Sequence, residues 1–267
     1  MKDLWVPLSG AIAQQRNVET IANNVANANT PGFKKDQLAF KEHLSNANAG
    51  GDINLPNKVW APEDFYHHEG AENSMVKVNN SYTNFQQGQV VSTGNGLDLA
   101  ISGKAFFEVL TPSGIKFTRK GIFSLAKDGT LVTDQGNPVL MSRDEATNID
   151  NPEDRIVKIQ GRAVQINQKG EIFSNKTNLG SLSLVEFKNQ SLLKKEGSSL
   201  YINNDTNNER GQHSSRVLQG FVEQSNVNAV EEMAKLIKAN RHFESIQRVI
   251  KTYDNIAQKS VNDLLRF

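Results

Sequence analysis

Residues 236–267 read LIKANRHFESIQRVIKTYDNIAQKSVNDLLRF, and this stretch decides the fold. Steps of three and four residues connect ten positions, all apolar or aromatic except Ser260: Leu236, Ala239, Phe243, Ile246, Ile250, Tyr253, Ala257, Ser260, Leu264 and Phe267. Apolar side chains that recur every 3.5 residues predict a helix whose seam stays against a partner helix along its length. One helix cannot bury such a seam alone, so the rest of the chain must supply a partner.

The composition excludes several classes of protein. Of the 267 residues, 37% are hydrophobic and 7% aromatic, which favours an elongated or multi-segment molecule over one large core. The net charge of +1 gives no electrostatic argument for a nucleic-acid partner, and the lack of cysteine excludes disulfides and thiolate metal sites. No apolar run approaches the ~20 residues of a membrane span, and the first residues do not match a signal peptide. We therefore expect neither a membrane span nor a cleaved signal.

A second helix with similar spacing is predicted near the N-terminus. Its apolar line steps by four and three residues, with Ile12 and Ile21 beside it: Leu4, Leu8, Ala11, Gln15, Val18, Ala22 and Val25. Thr30-Pro31-Gly32 ends this helix, because proline cannot continue the hydrogen-bond ladder and glycine can adopt positive φ. Two heptad-spaced ends favour a coiled-coil stem with the middle of the chain projecting from it. The alternative is a pair of amphipathic helices docked on a globular domain.

The middle of the chain changes character twice. Residues 34–84 have no sustained period and are predicted to be an extended connector with one or two short strands. From residue 85 onward, short β-rich runs alternate with turns such as Lys127-Asp128-Gly129, which predicts a central all-β domain of sandwich or barrel type. The predicted fold class is therefore mixed α and β. Its parts are an N-terminal helix in residues 1–33, the connector, a β domain in residues 85–215 and a C-terminal helix in residues 216–267.

Three fragments resemble chemical sites, but each fails on spacing. The glycines from Gly94 to Gly103 are too far apart for a phosphate loop. Residues 205–211 alternate like a calcium loop, but the glycine comes one residue late. His67-His68 are adjacent, and adjacent histidines rarely chelate one ion. We therefore expect no catalytic residue, no metal, no cofactor and no small-molecule substrate.

Four asparagines at the end of the first helix are unusual: Asn23, Asn24, Asn27 and Asn29. Asparagine is a mediocre helix former because its side chain competes for backbone hydrogen bonds. Capping of the helix end explains one or two of them. The functional interpretation is amide hydrogen bonding between packed helices, where a buried polar group can fix register.

These asparagines belong to a longer pattern. Residues 21–33 read IANNVANANTPGF, and residues 93–107 read TGNGLDLAISGKAFF. Residues 117–123 read FTRKGIF, and residues 219–233 read QGFVEQSNVNAVEEM. In this order the motifs resemble the signatures of flagellar rod and hook proteins, and they span nearly the whole chain. The length resembles the FlgF/FlgG type of rod protein more than the hook protein. The ending at residues 253–265 resembles the proximal-rod type, with the distal-rod type as the alternative.

The resemblance implies a structural subunit and not an enzyme. In this family the terminal helices form an inner coiled-coil tube, the connector braces it and the β domain faces outward. Subunits pass unfolded through the flagellar type III export apparatus, without signal cleavage. They then polymerise helically with copies of themselves and with other rod proteins, and the resulting shaft carries motor torque across the periplasm.

The candidate site is accordingly a set of subunit-packing residues on both helices. It comprises Leu4, Leu8, Val18, Ile21, Asn23, Asn24, Val25, Asn27, Asn29, Phe33, Leu236, Phe243, Ile246, Ile250, Tyr253 and Leu264. One rival hypothesis is a carbohydrate-binding or enzymatic β domain with helical oligomerisation ends, which would expose Phe106, Phe107, Phe117 and Phe123 on one face. Another is an adaptor that donates a helix to a finite complex.

Overall fold

The structure is a computed structural model. It describes residues 5–46, 72–142, 151–159, 164–174, 177–197, 199–210 and 214–264. Within these ranges the fold is mixed α and β, with one long helix toward each end of the chain and strands between them, as predicted. The chain divides into two compact units. The helical unit comprises Met1–Asn23, Gln37–Tyr82 and Val230–Phe267, and the β unit comprises Asn24–Asp36 and Thr83–Ala229.

The helical unit is built on α1 (Trp5–Ala26) and α2 (Ala229–Leu264). The acidic residues Glu231 and Glu232 lie in the first turn of α2, where negative charge favours the helix dipole. Lys235 lies one turn further along and forms ion pairs with both carboxylates. In the described part of the chain, neither helix is long and apolar enough to cross a membrane.

The helical unit also contains most of a two-stranded ribbon. Its strands are β1 (Asp36–Asn46) and β2 (Glu72–Thr83), of 11 and 12 residues. They are longer than the one or two short strands predicted for the connector. The physical reason lies at the start of the ribbon. There the Thr83 hydroxyl donates to Asp36 (2.8 Å) and the Asn84 N–H donates to the Lys35 carbonyl (2.8 Å), which aligns the two chains for pairing.

The β unit holds fifteen further strands within its described residues. They are β3 (Val90–Ser92), β4 (Leu99–Ser102), β5 (Phe106–Thr111), β6 (Gly114–Thr118), β7 (Phe123–Leu125), β8 (Leu131–Thr133), β9 (Val164–Ile166), β10 (Glu171–Ser174), β11 (Thr177–Ser181), β12 (Leu184–Phe187), β13 (Lys194–Lys195), β14 (Leu200–Ile202), β15 (Glu209–Arg210), β16 (Arg216–Gln219) and β17 (Phe221–Glu223).

These strands form several small antiparallel sheets. The largest has the order β13-β14-β6-β5-β12-β15, and a three-stranded sheet has the order β11-β10-β9. Three pairs complete the unit: β16 with β4, β17 with β3, and β7 with β8. The β17–β3 and β16–β4 pairs bring the strands just before α2 into contact with strands from the start of the unit. These two pairs build the segment just before α2 into the β unit.

The interior of the β unit is well filled. One core cluster of sixteen buried residues includes Leu99, Phe107 and Leu131, each with no solvent exposure. A second, aromatic cluster consists of Phe106, Phe117, Phe187, Leu193 and Tyr201, with rings packed edge to face at centroid distances such as 4.9 Å for Phe117 and Phe187. All four phenylalanines that the rival hypothesis placed on a binding face are buried. They are core residues and form no aromatic platform.

Candidate functional site: two helix faces and a buried junction

The two long helices lie side by side in the helical unit. The Gln14 side-chain amide donates to the Ala239 carbonyl (3.1 Å). A Cβ added at Gly10 would lie 3.9 Å from Cδ1 of Ile246. Because the lower residue number on α1 pairs with the higher number on α2, the helices run antiparallel.

The buried line of α1 differs from the predicted one at two positions. Ala11 and Ile21 are buried and Val18 and Val25 are half-buried, but Gln15 and Ala22 are exposed. The line runs through Gln14 and Ile21 instead, one residue earlier at each step. Two side chains explain the displacement. Isoleucine buries more apolar area than alanine does, and the Gln14 amide reaches a backbone carbonyl of α2. Leu8 is 40% exposed, and Leu4 lies outside the described residues.

Burial along α2 is confined to its first two thirds. Ala239 is buried, and Leu236, Phe243, Ile246 and Ile250 are half-buried. This is the apolar line that the spacing predicts for the first part of the helix.

The last part of α2 lies in solvent. Every residue from Lys251 to Asn262 is exposed, although Tyr253, Ile256 and Val261 are large and apolar, with 45%, 56% and 56% exposure. Length explains this exposure. At about 1.5 Å per residue, α1 with its 22 residues spans ~33 Å, and α2 with its 36 residues spans ~54 Å. We call residues 251–262 the α2 tail. Leu264 ends the described helix, and its side chain is outside the described set.

Both helices also expose apolar side chains away from their mutual contact. On α1, Trp5, Leu8 and Ile12 follow each other at intervals of three and four residues, so they share one face. On α2, Met233 and Ile237 are likewise exposed. Contiguous exposed apolar side chains mark interaction surfaces more often than isolated ones do.

The four asparagines have different environments. Asn24 is buried, donates to the Asp36 carbonyl (2.8 Å) and accepts from the Asp36 N–H (3.0 Å). Asn27 is half-buried and accepts from the Thr30 hydroxyl at the end of the helix (3.2 Å). Asn23 and Asn29 are exposed. The two bonds of Asn24 to Asp36 are made within the β unit, where they hold the start of β1 against the end of α1.

A buried ionic cluster lies in the β unit, where the chain has left α1 and approaches α2. Oε1 of Glu223 pairs with Nζ of Lys34 (2.5 Å), and Oε2 pairs with Nη1 of Arg119 (3.3 Å). The exposed fractions of the Lys34, Arg119 and Glu223 side chains are 0%, 2% and 0%. Arg119 also donates through Nη2 to the Gly103 carbonyl (2.6 Å). Mutual pairing is what makes burial of these three charges tolerable.

Two glycines allow the backbone to approach Glu223 closely. The Gly88 N–H donates to Oε1 of Glu223 (2.9 Å), and a Cβ added at Gly88 would lie only 2.0 Å from the Gln224 carbonyl oxygen. The Gly32 N–H donates to the Glu223 carbonyl (2.8 Å). Gly32 has a φ of +70°, and an added Cβ would lie 2.5 Å from the backbone nitrogen of Lys120. No larger residue fits at either position without displacing backbone.

Asn226 extends the cluster toward α2. Its side-chain amide donates to the carbonyls of Asn84 (2.8 Å) and Gln86 (3.1 Å), and its side-chain oxygen accepts from the Lys35 N–H (2.8 Å). One side chain therefore bridges the segment after α1 and the segment after β2. We call Lys34, Gly88, Arg119, Glu223 and Asn226 the Glu223 junction.

Lys195 provides a second anchor beside the junction. Its ammonium group lies 3.7 Å from the centroid of the Phe33 ring, and it donates to the Lys34 carbonyl (3.0 Å) and to Asp36 (2.8 Å). Burial lowers the pKa of Lys195, and the hydrogen bond and charge of Asp36 oppose that shift. Phe33, which the sequence placed in the subunit-packing set, is buried inside the β unit.

A comparable ion pair lies inside the body of the β unit. The Arg155 guanidinium pairs with both carboxylate oxygens of Glu108 and donates to the Met141 carbonyl from Nε (3.0 Å) and Nη2 (2.8 Å). The Ser183 hydroxyl also donates to Glu108 (2.5 Å). All its members come from residues 108–183, so this pair connects neighbouring strands and not the two ends of the chain.

Sequence reasoning assigned no role to Lys34, Arg119 or Glu223, although all three lie in or beside the quoted motifs. The available signal was a charged residue within a short apolar run, as in Phe221-Val222-Glu223. Such a residue is buried only when it has a partner. The identity of that partner depends on the tertiary fold. Among the described residues, no group of histidines and carboxylates could hold a metal ion.

Comparison with known proteins gives consistent matches. The model described as "Flagella basal body rod protein" matches residues 6–34, "Flagellar hook protein FlgE/F/G D1 domain" matches residues 100–174, and "Flagellar basal body rod FlgEFG protein C-terminal" matches residues 218–264. The three matched segments cover α1 from its second residue, the centre of the β unit, and α2.

Whole-length relatives carry two related names. The flagellar basal-body rod protein FlgG of Buchnera aphidicola subsp. Schizaphis graminum is 32% identical, over 96% of this chain and 97% of the relative. The FlgG of Bacillus subtilis is 32% identical, over 98% of both chains. The flagellar basal-body rod protein FlgF of Caulobacter vibrioides is 30% identical, over 98% of this chain and 97% of the relative.

Proposed function

The chain belongs to the flagellar basal-body rod protein family of FlgF/FlgG type, and on that premise we propose that its terminal helices pack against neighbouring subunits. It is a structural subunit of the basal-body rod. Its partners in this proposal are copies of itself and other rod proteins, joined as a coiled-coil, helically ordered assembly. The proposed role is mechanical and not catalytic: the shaft transmits motor torque across the periplasm.

The observation that carries the proposal is the exposure of the α2 tail. Tyr253, Ile256 and Val261 are apolar, yet they lie in a stretch where every described residue faces solvent. Most of the stability of a helix in a protein comes from the packing of its apolar face, so the tail gains stability when a partner covers it. An assembly of like subunits supplies such partners, because each copy also exposes Trp5, Leu8 and Ile12 on α1.

Two finer proposals rest on the family resemblance. We propose that the chain is exported by the flagellar type III apparatus without signal cleavage. We also propose that the rod position is proximal, because residues 253–265 resemble the proximal-rod type. Sequence identity does not separate the types, since FlgG relatives at 32% and an FlgF relative at 30% are almost equally similar. Localisation of a tagged chain in purified basal bodies distinguishes the proximal from the distal position.

The test of the packing role is a charge placed on the α2 tail. Ile256→Glu should leave the thermal unfolding of the free chain unchanged, because Ile256 is already exposed. It should abolish incorporation into basal bodies and swimming, since a buried unpaired carboxylate is costly at an interface. Gln258→Glu is the matched control, because it adds the same charge to an exposed position on the same tail. Normal rod incorporation of Ile256→Glu would contradict the proposal.

The carbohydrate-binding or enzymatic rival needs a cleft lined by convergent carboxylates or aromatic side chains. Exposure of Phe106, Phe107, Phe117 and Phe123 on one face would favour it, and all four are buried.

A further inference from the structure

One carboxylate joins segments that are far apart in the sequence. Glu223 contacts Lys34 from the segment after α1, Gly88 from the segment after β2, and Arg119 from the segment after β6. Lys34 and Glu223 are separated by 189 residues. In the β unit, the residues that follow α1 and those that precede α2 therefore meet at a single side chain.

The charges in this junction depend on one another. Lys34 and Glu223 have no exposed side-chain area, so water cannot replace a lost partner. Burial lowers the pKa of Lys34, and the charge and hydrogen bond of Glu223 raise it. Removal of one partner from a buried pair leaves an uncompensated charge, which costs more than the pair itself contributes. The simplest response of the chain is to expose the whole segment that carries the orphaned charge.

We propose that the Glu223 junction is a cooperative device in which the segment after α1 (residues 30–36) and the segment before α2 (residues 221–226) become ordered on the β unit together. When one of these segments is released from the β unit, the other is released with it. A subunit whose C-terminal segment is undocked then also loses the attachment of the segment that follows α1. This inference does not depend on the rod function, because it concerns contacts within one chain.

A second anchor acts on the segment after α1. Lys195 holds Phe33 and Asp36 without any help from Glu223. If that anchor is sufficient, the segment after α1 stays ordered when the junction is broken. The proposal and this alternative predict different patterns of amide exchange.

The experiment is native-state hydrogen exchange on the full chain carrying Glu223→Gln. The N–H groups of Gly32, Asn84 and Gly88 report on the junction, since they donate to Glu223, Lys35 and Glu223 respectively. All three should exchange faster by a common factor of about tenfold or more. The N–H groups of Leu131 and Leu140, which donate to Val157 and Glu108, report on the core and should keep their wild-type rates.

Glu108→Gln is the matched control, because it removes the same charge from the other buried arginine pair. That change should accelerate Leu131 and Leu140 at least as much as the junction amides, since the body of the unit must loosen. Acceleration of Gly88 alone in Glu223→Gln would overturn the proposal in favour of the Lys195 anchor. Equal acceleration of core and junction amides in Glu223→Gln would overturn it as well.

Lys34→Met tests the same coupling from the other end and keeps the proposal testable if Glu223→Gln does not fold. It leaves Glu223 paired with Arg119 and fills the space with an apolar side chain. The N–H of Gln224, which donates to Gln89, should exchange faster although it lies 190 residues away in sequence. In the double variant Lys34→Met/Glu223→Gln, the exchange rates should rise by less than the product of the two single-variant factors. Both changes disrupt the same set of contacts, so their effects are not independent. An unchanged Gln224 rate would contradict cooperation between the ends.

Discussion

The β unit and the helical unit differ in how far they bury their large apolar side chains. The β unit buries Leu99, Phe107 and Leu131 completely, and it pairs its buried charges within the chain. The helical unit leaves Ile12 and Ile256 exposed on helices that are otherwise regular. On the proposed function, this difference means that the β unit is complete as a monomer, whereas neighbouring subunits cover the exposed apolar surfaces of the helical unit.

The largest expected difference in stability is between two truncated side chains, one in each unit. Phe107→Ala should destabilise the chain by about 3–5 kcal/mol, because it removes a fully buried ring that packs on Phe123. Ile256→Ala should change the stability of the free chain by less than about 0.5 kcal/mol, because its side chain is already in solvent. Urea unfolding of both variants measures the difference. Similar losses in the two would show that the α2 tail is packed in the monomer.

A smaller effect is expected at the end of α1. Asn24→Ala removes both hydrogen bonds to the backbone of Asp36 and should cost about 1–3 kcal/mol. Asn29→Ala is the control, since Asn29 is exposed and should tolerate the change within about 0.5 kcal/mol. Thermal unfolding followed by circular dichroism distinguishes them. If both variants were equally stable, Asn24 would have no structural role in the monomer.

The smallest effect at neutral pH is expected at Tyr201. Its ring is fully buried, and its hydroxyl has no hydrogen-bond partner among the described residues, so Tyr201→Phe should be neutral or slightly stabilising at pH 7. Burial raises the pKa of Tyr201 well above its ordinary value of 10.0. The folded state therefore binds the phenolic proton more tightly, and this contribution to stability is lost as the pH rises above 10.0.

The free energy of unfolding, measured between pH 9 and pH 11, tests the predicted direction of the Tyr201 effect. The wild-type chain should lose stability with pH more steeply than Tyr201→Phe does. Lys34 and Lys195 have lowered pKa values, which favours folding as the pH rises toward 10.5, but they are present in both proteins and cancel in the difference. Parallel pH profiles would mean that the Tyr201 hydroxyl is accessible to water.

Much of the fold could be predicted from local patterns. The 3.5-residue period identified α2, and turns such as Lys127-Asp128-Gly129 identified the β region, because both patterns depend on near neighbours. The apolar line predicted for α1 was wrong at Gln15 and Ala22, which are both exposed. There the sequence offers Ile21 beside Ala22, and only the position of α2 decides which of them is buried.

The junction could not be predicted in the same way. Glu223, Lys34 and Arg119 lie far apart in the sequence, and nothing local to any of them identifies the others. The asparagines were assigned to helix contacts as a group. Asn24 instead binds the backbone of Asp36, which follows from the tight turn at Gly32.

The central claim is that neighbouring subunits complete the helical unit, and hydrogen exchange of the α2 tail tests it most directly. The same amides, residues 251–262, would be followed in the free full-length chain and in purified basal bodies. We predict rapid exchange in the free chain and protection in the assembled rod, with the β-unit core protected in both. Strong protection of the tail in a proven monomer, or rapid exchange of the tail in the assembled rod, would contradict the account.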